Sequence, residues 1–178
     1  NVRAFSAKLA GTFALSMPAQ AGTPGAANSA AVGNLGPTIA GLRHDPIIPA
    51  AGAAVTISAD IADPDGLASL VVRTTINGSP GPGAALTPAG VGGHHEATLP
   101  GQPAGTVVQF WIEAEDSAGA VSMAPAAGPG SRALYQVDDG VSTSLSAPRL
   151  RLVMLPAERD FMFGFFNLMS NERLGSTV

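Results

Sequence analysis

Between residues 106 and 116, Val108, Phe110, Ile112 and Ala114 fall on one side of an extended chain, and Gln109, Trp111, Glu113 and Glu115 fall on the other. A period of two with one apolar side is that of a β-strand packed on a core by one face, and Asp116-Ser117-Ala118-Gly119 then supplies turn residues. The stretch reads as the central strand of a β-sandwich, with Phe110 inward and Trp111 outward. Residues 54–61 alternate as well, with Val55, Ile57, Ala59 and Ile61 inward and Thr56, Ser58 and Asp60 outward. Asp63-Pro64-Asp65-Gly66 turns the chain into residues 69–76, where Leu70, Val72, Thr74 and Ile76 share a face. Asn77-Gly78 signals a hairpin, although Ser79-Pro80-Gly81-Pro82-Gly83 points to a loop longer than two residues. Further strands are expected at residues 38–43, 94–99 and 132–137, with a weak edge segment at 84–87.

About seven strands in about a hundred residues is the rhythm of an immunoglobulin-like or fibronectin type III-like domain. The expected fold class is therefore all-β: a seven-stranded antiparallel sandwich over residues 38–139, with an extended N-terminal segment and a short strand-helix C-terminal tail. Residues 30–37, with Gly33, Asn34 and Gly36, form a linker, and residues 140–148, rich in Ser, form a second. Beyond it, residues 149–154 alternate as a new strand. Pro156-Ala157-Glu158 opens a helix that places Met162, Phe165, Phe166 and Met169 at helical spacing. That tail carries more large apolar residues than it can bury alone, so a larger domain is expected to begin within residues 149–178.

Composition narrows the function classes. The 178 residues carry a net charge of −4 with Lys8 as the lone lysine, so no basic stripe is present to neutralise phosphates, and nucleic acid is not an expected partner. The absence of cysteine removes disulfides, thiolate metal sites and cysteine nucleophiles. No apolar run reaches the length of a membrane span. At the N-terminus, Arg3 and Lys8 precede an apolar run to Met17 and the small-x-small triplet Ala19-Gln20-Ala21, which fits a leader; the same residues also fit the end of a preceding domain.

Candidate chemistry is sparse. Asp60, Asp63 and Asp65, with Glu113, Glu115 and Asp116, offer oxygen ligands for Ca²⁺ at one end of the sandwich, against the plainer reading of a turn and a solvated face. His94 and His95 are adjacent, so on a strand their rings point to opposite faces and do not share a metal; His44 is the remaining histidine. Ser117, Ser122 and Ser131 lack a nucleophile-elbow pattern, and Gly90, Gly92 and Gly93 form a flexible connection without a phosphate-binding pattern. Trp111, at an outward position, offers a surface for a sugar ring or a partner protein, or packs at a junction with a flanking segment. No catalytic constellation and no cofactor are expected from these residues.

Several phrases carry a resemblance. The Pro24-Gly25-Ala26-Ala27-Asn28 phrase within residues 1–29 resembles the C-terminal edge of bacterial lamin-tail-type domains. GTVVQFWIEAEDSAG (residues 105–119) and SRALYQV (131–137) resemble the sandwich domain of bacterial multidomain surface or secreted proteins. RLVMLP (151–156), the aromatic run from Phe161 to Leu168, Met169-Ser170-Asn171 and Thr177-Val178 resemble the start of a spore-coat CotH kinase-like domain. The resemblance implies an exported bacterial protein in which the sandwich is a spacer between a lamin-tail-type end and a CotH-like beginning. Its partners would be neighbouring domains of the same chain, or a surface protein or glycan. The catalytic and metal-binding residues of the CotH family lie downstream of its first strand, so none is carried onto this chain.

Overall fold

The computed structural model describes residues 33–141 and 151–164. The chain divides into two compact units, Asn1–Gly33 and Asn34–Val178, and the description below concerns the second. The expectations for residues 1–29, for the junction at 142–148 and for the apolar positions Phe165, Phe166 and Met169 lie outside the described residues.

Strand segments follow in chain order as β1 (Thr38–Asp45), β2 (Val55–Ala62), β3 (Leu67–Ile76), β4 (Ser79–Pro80), β5 (Ala84–Ala85), β6 (Thr87–Pro88), β7 (His94–Leu99), β8 (Val107–Asp116), β9 (Val121–Ala124) and β10 (Leu134–Gln136). A 3-10 turn (Gly128–Gly130) lies between the last two, and a helix, α1 (Pro156–Met162), follows them. One sheet has the order β1-β2-β7-β6; the other runs β10-β8-β3-β4, with β5 also on β3 and β9 also on β8. Every pairing is antiparallel. The all-β sandwich expected from the alternation is what the chain forms.

Its core is built from the inward faces of the two long central strands. Val55, Ile57, Ala59 and Ile61 of β2 are fully buried and meet Val108, Phe110, Ile112 and Ala114 of β8 in one apolar cluster with Val72, Leu99, Tyr135 and Val137. Removing such side chains from water is worth roughly 1.5–3 kcal/mol each, so these two strands anchor the fold. Tyr135, Phe110 and His44 form a mutual cluster, with Tyr135 stacked on His44 at 5.3 Å and 6.1 Å from Phe110, and His44 edge-on to Phe110 at 5.5 Å. Burial pushes the Tyr135 hydroxyl up to about 12.

The edges depart from the sequence reading. The single segment expected at residues 84–87 is split, with β5 on one sheet and β6 on the other. Buried Leu86 is the pivot, and its N–H donates to the Leu70 carbonyl at 3.0 Å. The longer loop expected after Asn77-Gly78 is instead a two-residue turn, because Ile76 pairs directly with Ser79 and Thr75 with Pro80. Asn77 and Gly78 have φ of 50° and 86°, the positive pair that a type I′ hairpin requires. The sheet tolerates Pro80 because β4 lies at its edge.

The last strand expected over residues 132–137 is shorter, and β9 joins it on the same side of β8, opposite β3. The final strand is thus interrupted between Ala124 and Leu134. Of the strand expected at residues 149–154, the described residues 151–154 show a bridge at Val153 and no longer strand. The helix after it is present, with Pro156 in its first turn and Glu158 supplying the favourable acid there.

Candidate functional site

The six acids first grouped by sequence part company in the structure. The turn before β3 lies at the end of β8, because Leu67 pairs with Asp116. That register brings carboxylate oxygens of Asp63, Asp65 and Asp116 within 4.8 Å of one another. Asp60 is not with them. It pairs across β2 and β7 with His94, whose Nδ1 lies 2.8 Å from Asp60 Oδ1. Glu115 is exposed, and Glu113 bonds Arg73 at 2.8 Å and accepts from the Trp111 indole N–H at 3.3 Å. The Arg73 guanidinium holds the Glu113 carboxyl below the usual carboxylate range, against the opposing effect of its desolvation.

Asp116 is the centre of the acidic group and is 1% exposed. Its Oδ1 accepts from the N–H groups of Ala118 (2.8 Å) and Ala120 (2.9 Å), and its Oδ2 accepts from the Asn34 side-chain amide at 2.8 Å. Burial pushes its carboxyl up, but the donors from Ala120, Asn34, Ala118 and Gly119 together outweigh burial and hold it below the usual range. Asp63 Oδ1 accepts from Asp65 N–H at 2.7 Å, and Gly66 N–H closes the turn on the Asp63 carbonyl. These bonds make the group a lock between two turns and the incoming chain at Asn34. As cation ligands the three residues supply three carboxylates, where Ca²⁺ takes six to eight oxygens, and most Asp116 acceptor capacity is already used.

Trp111 takes the covered one of its two readings. It does sit on the face of β8 opposite Phe110, yet it is 8% exposed. The connection between β9 and β10 folds back over this face. Gly128, at φ +51°, lies against the indole, and a Cβ there would come 2.6 Å from Met123 Sδ and 3.9 Å from Trp111 Cδ1. Gln109, 2% exposed on the same face, donates to the carbonyls of Pro129 (2.9 Å) and Ser131 (2.6 Å) and accepts from Thr75 at 3.1 Å. The indole is thus buried, and the surface that a sugar or partner would need is covered.

The histidines divide as their adjacency requires. His94 faces outward between Asp60 and Glu96, and these acids raise its pKa, mainly through the hydrogen bond to Asp60. His95 is buried on the other face, against the Gly93 carbonyl at 2.7 Å. His44 joins the aromatic cluster, which nothing in its local sequence indicated. Gly90, Gly92 and Gly93, all at positive φ, make the connection between β6 and β7. Ser131 is buried beneath the Pro129 connection, and Ser117 stands at the Asp63–Gly66 turn.

The outgoing chain returns to the outer face of β8. Val153 and Leu155 pack on Val107 and Leu134 in a second apolar cluster. Arg132 pairs with Glu158 of α1, its Nε 2.9 Å from Oε1, and Arg151 pairs with Asp139 at 3.3 Å. The incoming chain is therefore tied at Asp116, the last residue of β8, while the outgoing chain is tied at Val107, its first.

No protein-family model matches the chain, and no curated protein matches it. Among solved structures it is similar to the uncharacterized protein lmo2446 from Listeria monocytogenes EGD-e, determined at 1.9 Å in complex with α-D-glucose, β-D-glucose, magnesium and calcium. The identity is 19% and the TM-score 0.42, and the match covers 54% of this chain and 9% of that one.

Proposed function

We propose that this chain is a non-catalytic β-sandwich spacer that sets the distance and direction between its neighbours. The observation that carries the reading is the placement of the two attachments at opposite ends of β8. Asn34 is bonded to Asp116, and the Val153–Leu155 strap and Glu158 are fixed beside Val107 and Arg132. Nine steps of about 3.3 Å separate the ends of that strand, so the attachments stand ~30 Å apart. Fixing the outgoing segment by an apolar cluster and two ion pairs gives the following chain a defined direction, in place of the freedom of a bare linker.

The spacer belongs, in this proposal, to an exported bacterial multidomain protein, between the end of a lamin-tail-type domain and a CotH kinase-like domain whose start is residues 149–178. The phrases in residues 105–119, 131–137 and 151–156 support that placement. Any kinase chemistry would reside beyond the residues of this chain. A carbohydrate- or protein-binding role through Trp111 loses its support, because the indole is covered.

The test is the rigidity of the junction. Residual dipolar couplings measured on α1 and on β8 are expected to fit one alignment tensor, and the chain is expected to transfer no phosphate from ATP. Separate tensors for the helix and the strand, or phosphate transfer by this chain, would overturn the reading.

A further inference from the structure

The connection that covers the outer face of β8, residues 125–131, is folded on itself by main-chain bonds. Gly128 N–H donates to the Pro125 carbonyl, Gly130 N–H to Ala127 and Ser131 N–H to Gly128. Two side chains bond its carbonyls. Gln109 donates to Pro129 and Ser131, and Arg132 Nη1 donates to Gly130 at 3.1 Å and to Ser131 at 2.8 Å. The Ser131 hydroxyl is enclosed and has no hydrogen-bond partner among the described residues, so the residue is held here through its main chain. Arg132 also faces the outgoing helix. Its Nε and Nη2 both donate to Oε1 of Glu158, whose side chain is 15% exposed and whose enclosed Oε2 has no hydrogen-bond partner among the described residues. One planar guanidinium thus joins α1 to the cover over Trp111.

We propose that Arg132 couples the seating of α1 to closure of this cover, so that residues 125–131 act as a lid over Trp111 that opens when α1 leaves the sandwich. The guanidinium is a rigid fork, and two donors on one Glu158 oxygen fix its plane and aim Nη1 at the lid carbonyls. Without that carboxylate the long side chain regains its freedom in water, and the lid loses both Arg132 bonds. Pro125-Ala126-Ala127-Gly128-Pro129-Gly130-Ser131 contains no large apolar side chain that would keep the lid down by burial. The inference rests on the spacer reading and deepens it: movement of the outgoing attachment would be registered in the middle of β8.

Trp111 is the only tryptophan, so its quenching by acrylamide in the full chain reports the lid. Gly128→Ala supplies the open reference, because its Cβ would meet Met123 Sδ at 2.6 Å from a backbone at φ +51°. Glu158→Ala alters no lid residue. It is nevertheless expected to speed amide exchange at Gly128, Gly130 and Ser131 about tenfold or more, and to move the quenching of Trp111 toward that of Gly128→Ala. Leu155→Ser, which loosens α1 from its apolar side, is expected to raise both readouts as well.

Protected amides in β2 show in each variant that the sandwich stays folded. Unchanged exchange and quenching in Glu158→Ala would overturn the proposal, as would a Leu155→Ser chain in which α1 amides exchange faster while the lid stays closed. A common alignment tensor for α1 and β8 in the parent chain, with a closed lid in both variants, would leave the spacer standing and remove this coupling alone.

Discussion

Replacing Trp111 with alanine tests the claim that β8 is buried on both faces. An indole removes about 150–250 Å² from water when buried, and at about 25 cal/mol per Å² that is worth ~4–6 kcal/mol as an upper bound. Trp111 is 8% exposed and its indole N–H bonds Glu113, so most of that area is covered and one hydrogen bond goes with it. The cover is a Pro- and Gly-rich connection able to settle into part of the gap, which lowers the loss. We expect Trp111→Ala to cost about 3–4 kcal/mol, close to the 3–5 kcal/mol expected for Phe110→Ala on the inner face. Trp111→Phe should cost about half as much and guards against outright unfolding of the alanine variant. The assay is urea unfolding followed by circular dichroism, which does not depend on the tryptophan removed. A loss below about 1 kcal/mol for Trp111→Ala beside a full loss for Phe110→Ala would show that the outer face is open to water, and the reasoning would fail.

Other consequences follow from named groups. A double-mutant cycle on Arg132→Ala and Glu158→Ala should return a coupling of about 1–2 kcal/mol, since both side chains are largely covered; a coupling near zero would mean the outgoing segment is not held there. Because the folded-state pKa of Asp116 is depressed, its stabilising contribution is present above the unfolded carboxyl value and is lost as pH falls below about 4 through the lower folded value. Acid unfolding of Asp116→Asn should therefore show a shallower pH dependence than the parent, with the remaining slope including Glu113; parallel curves would contradict this. The raised pKa of His94 has the opposite sign: its contribution is complete below about 6.5 and is lost as pH rises through the higher folded value. An NMR titration should find His94 above that ordinary value and Asp60→Asn should bring it down, whereas an unchanged titration would remove Asp60 as the main cause.

The strands that sequence made legible are those in which large apolar side chains all face one way. In β2, Val55, Ile57, Ala59 and Ile61 declare both the strand and its inner face. β9 hides because its pattern is inverted: Val121 and Met123 are exposed, while the smaller Ser122 and Ala124 turn inward. Along β8 the alternation gave the inner face and the exposed Glu115 correctly, left Trp111 open between an exposed and a covered reading, and missed the burial of Gln109. What covers Gln109 and Trp111 is a connection that works through backbone carbonyls and a positive-φ glycine, and neither produces a hydrophobic signal.

The acidic group was half legible for a related reason. Asp63 and Asp65 share a local turn, but joining them to Asp116 and sending Asp60 to His94 depends on strand register, which composition does not encode. Likewise the tail's Val153 and Leu155 were recognisable as apolar, while their partners Val107 and Leu134 emerge from the long-range fold.

The central claim is that the chain enters at one end of the sandwich and leaves at the other along a fixed line. Spin labels at Leu35→Cys and Val141→Cys test it most directly, since both positions are exposed, 74% and 73%, in a chain without cysteine. Leu35 adjoins Asn34 at the Asp116 end, and Val141 bonds Asp139 beside Gly105 at the other. A spacer predicts one narrow distance distribution centred at about 30–40 Å, the length of β8 plus the label arms. A broad distribution, or one centred below about 20 Å, would contradict it, because that falls short of the rise of the strand.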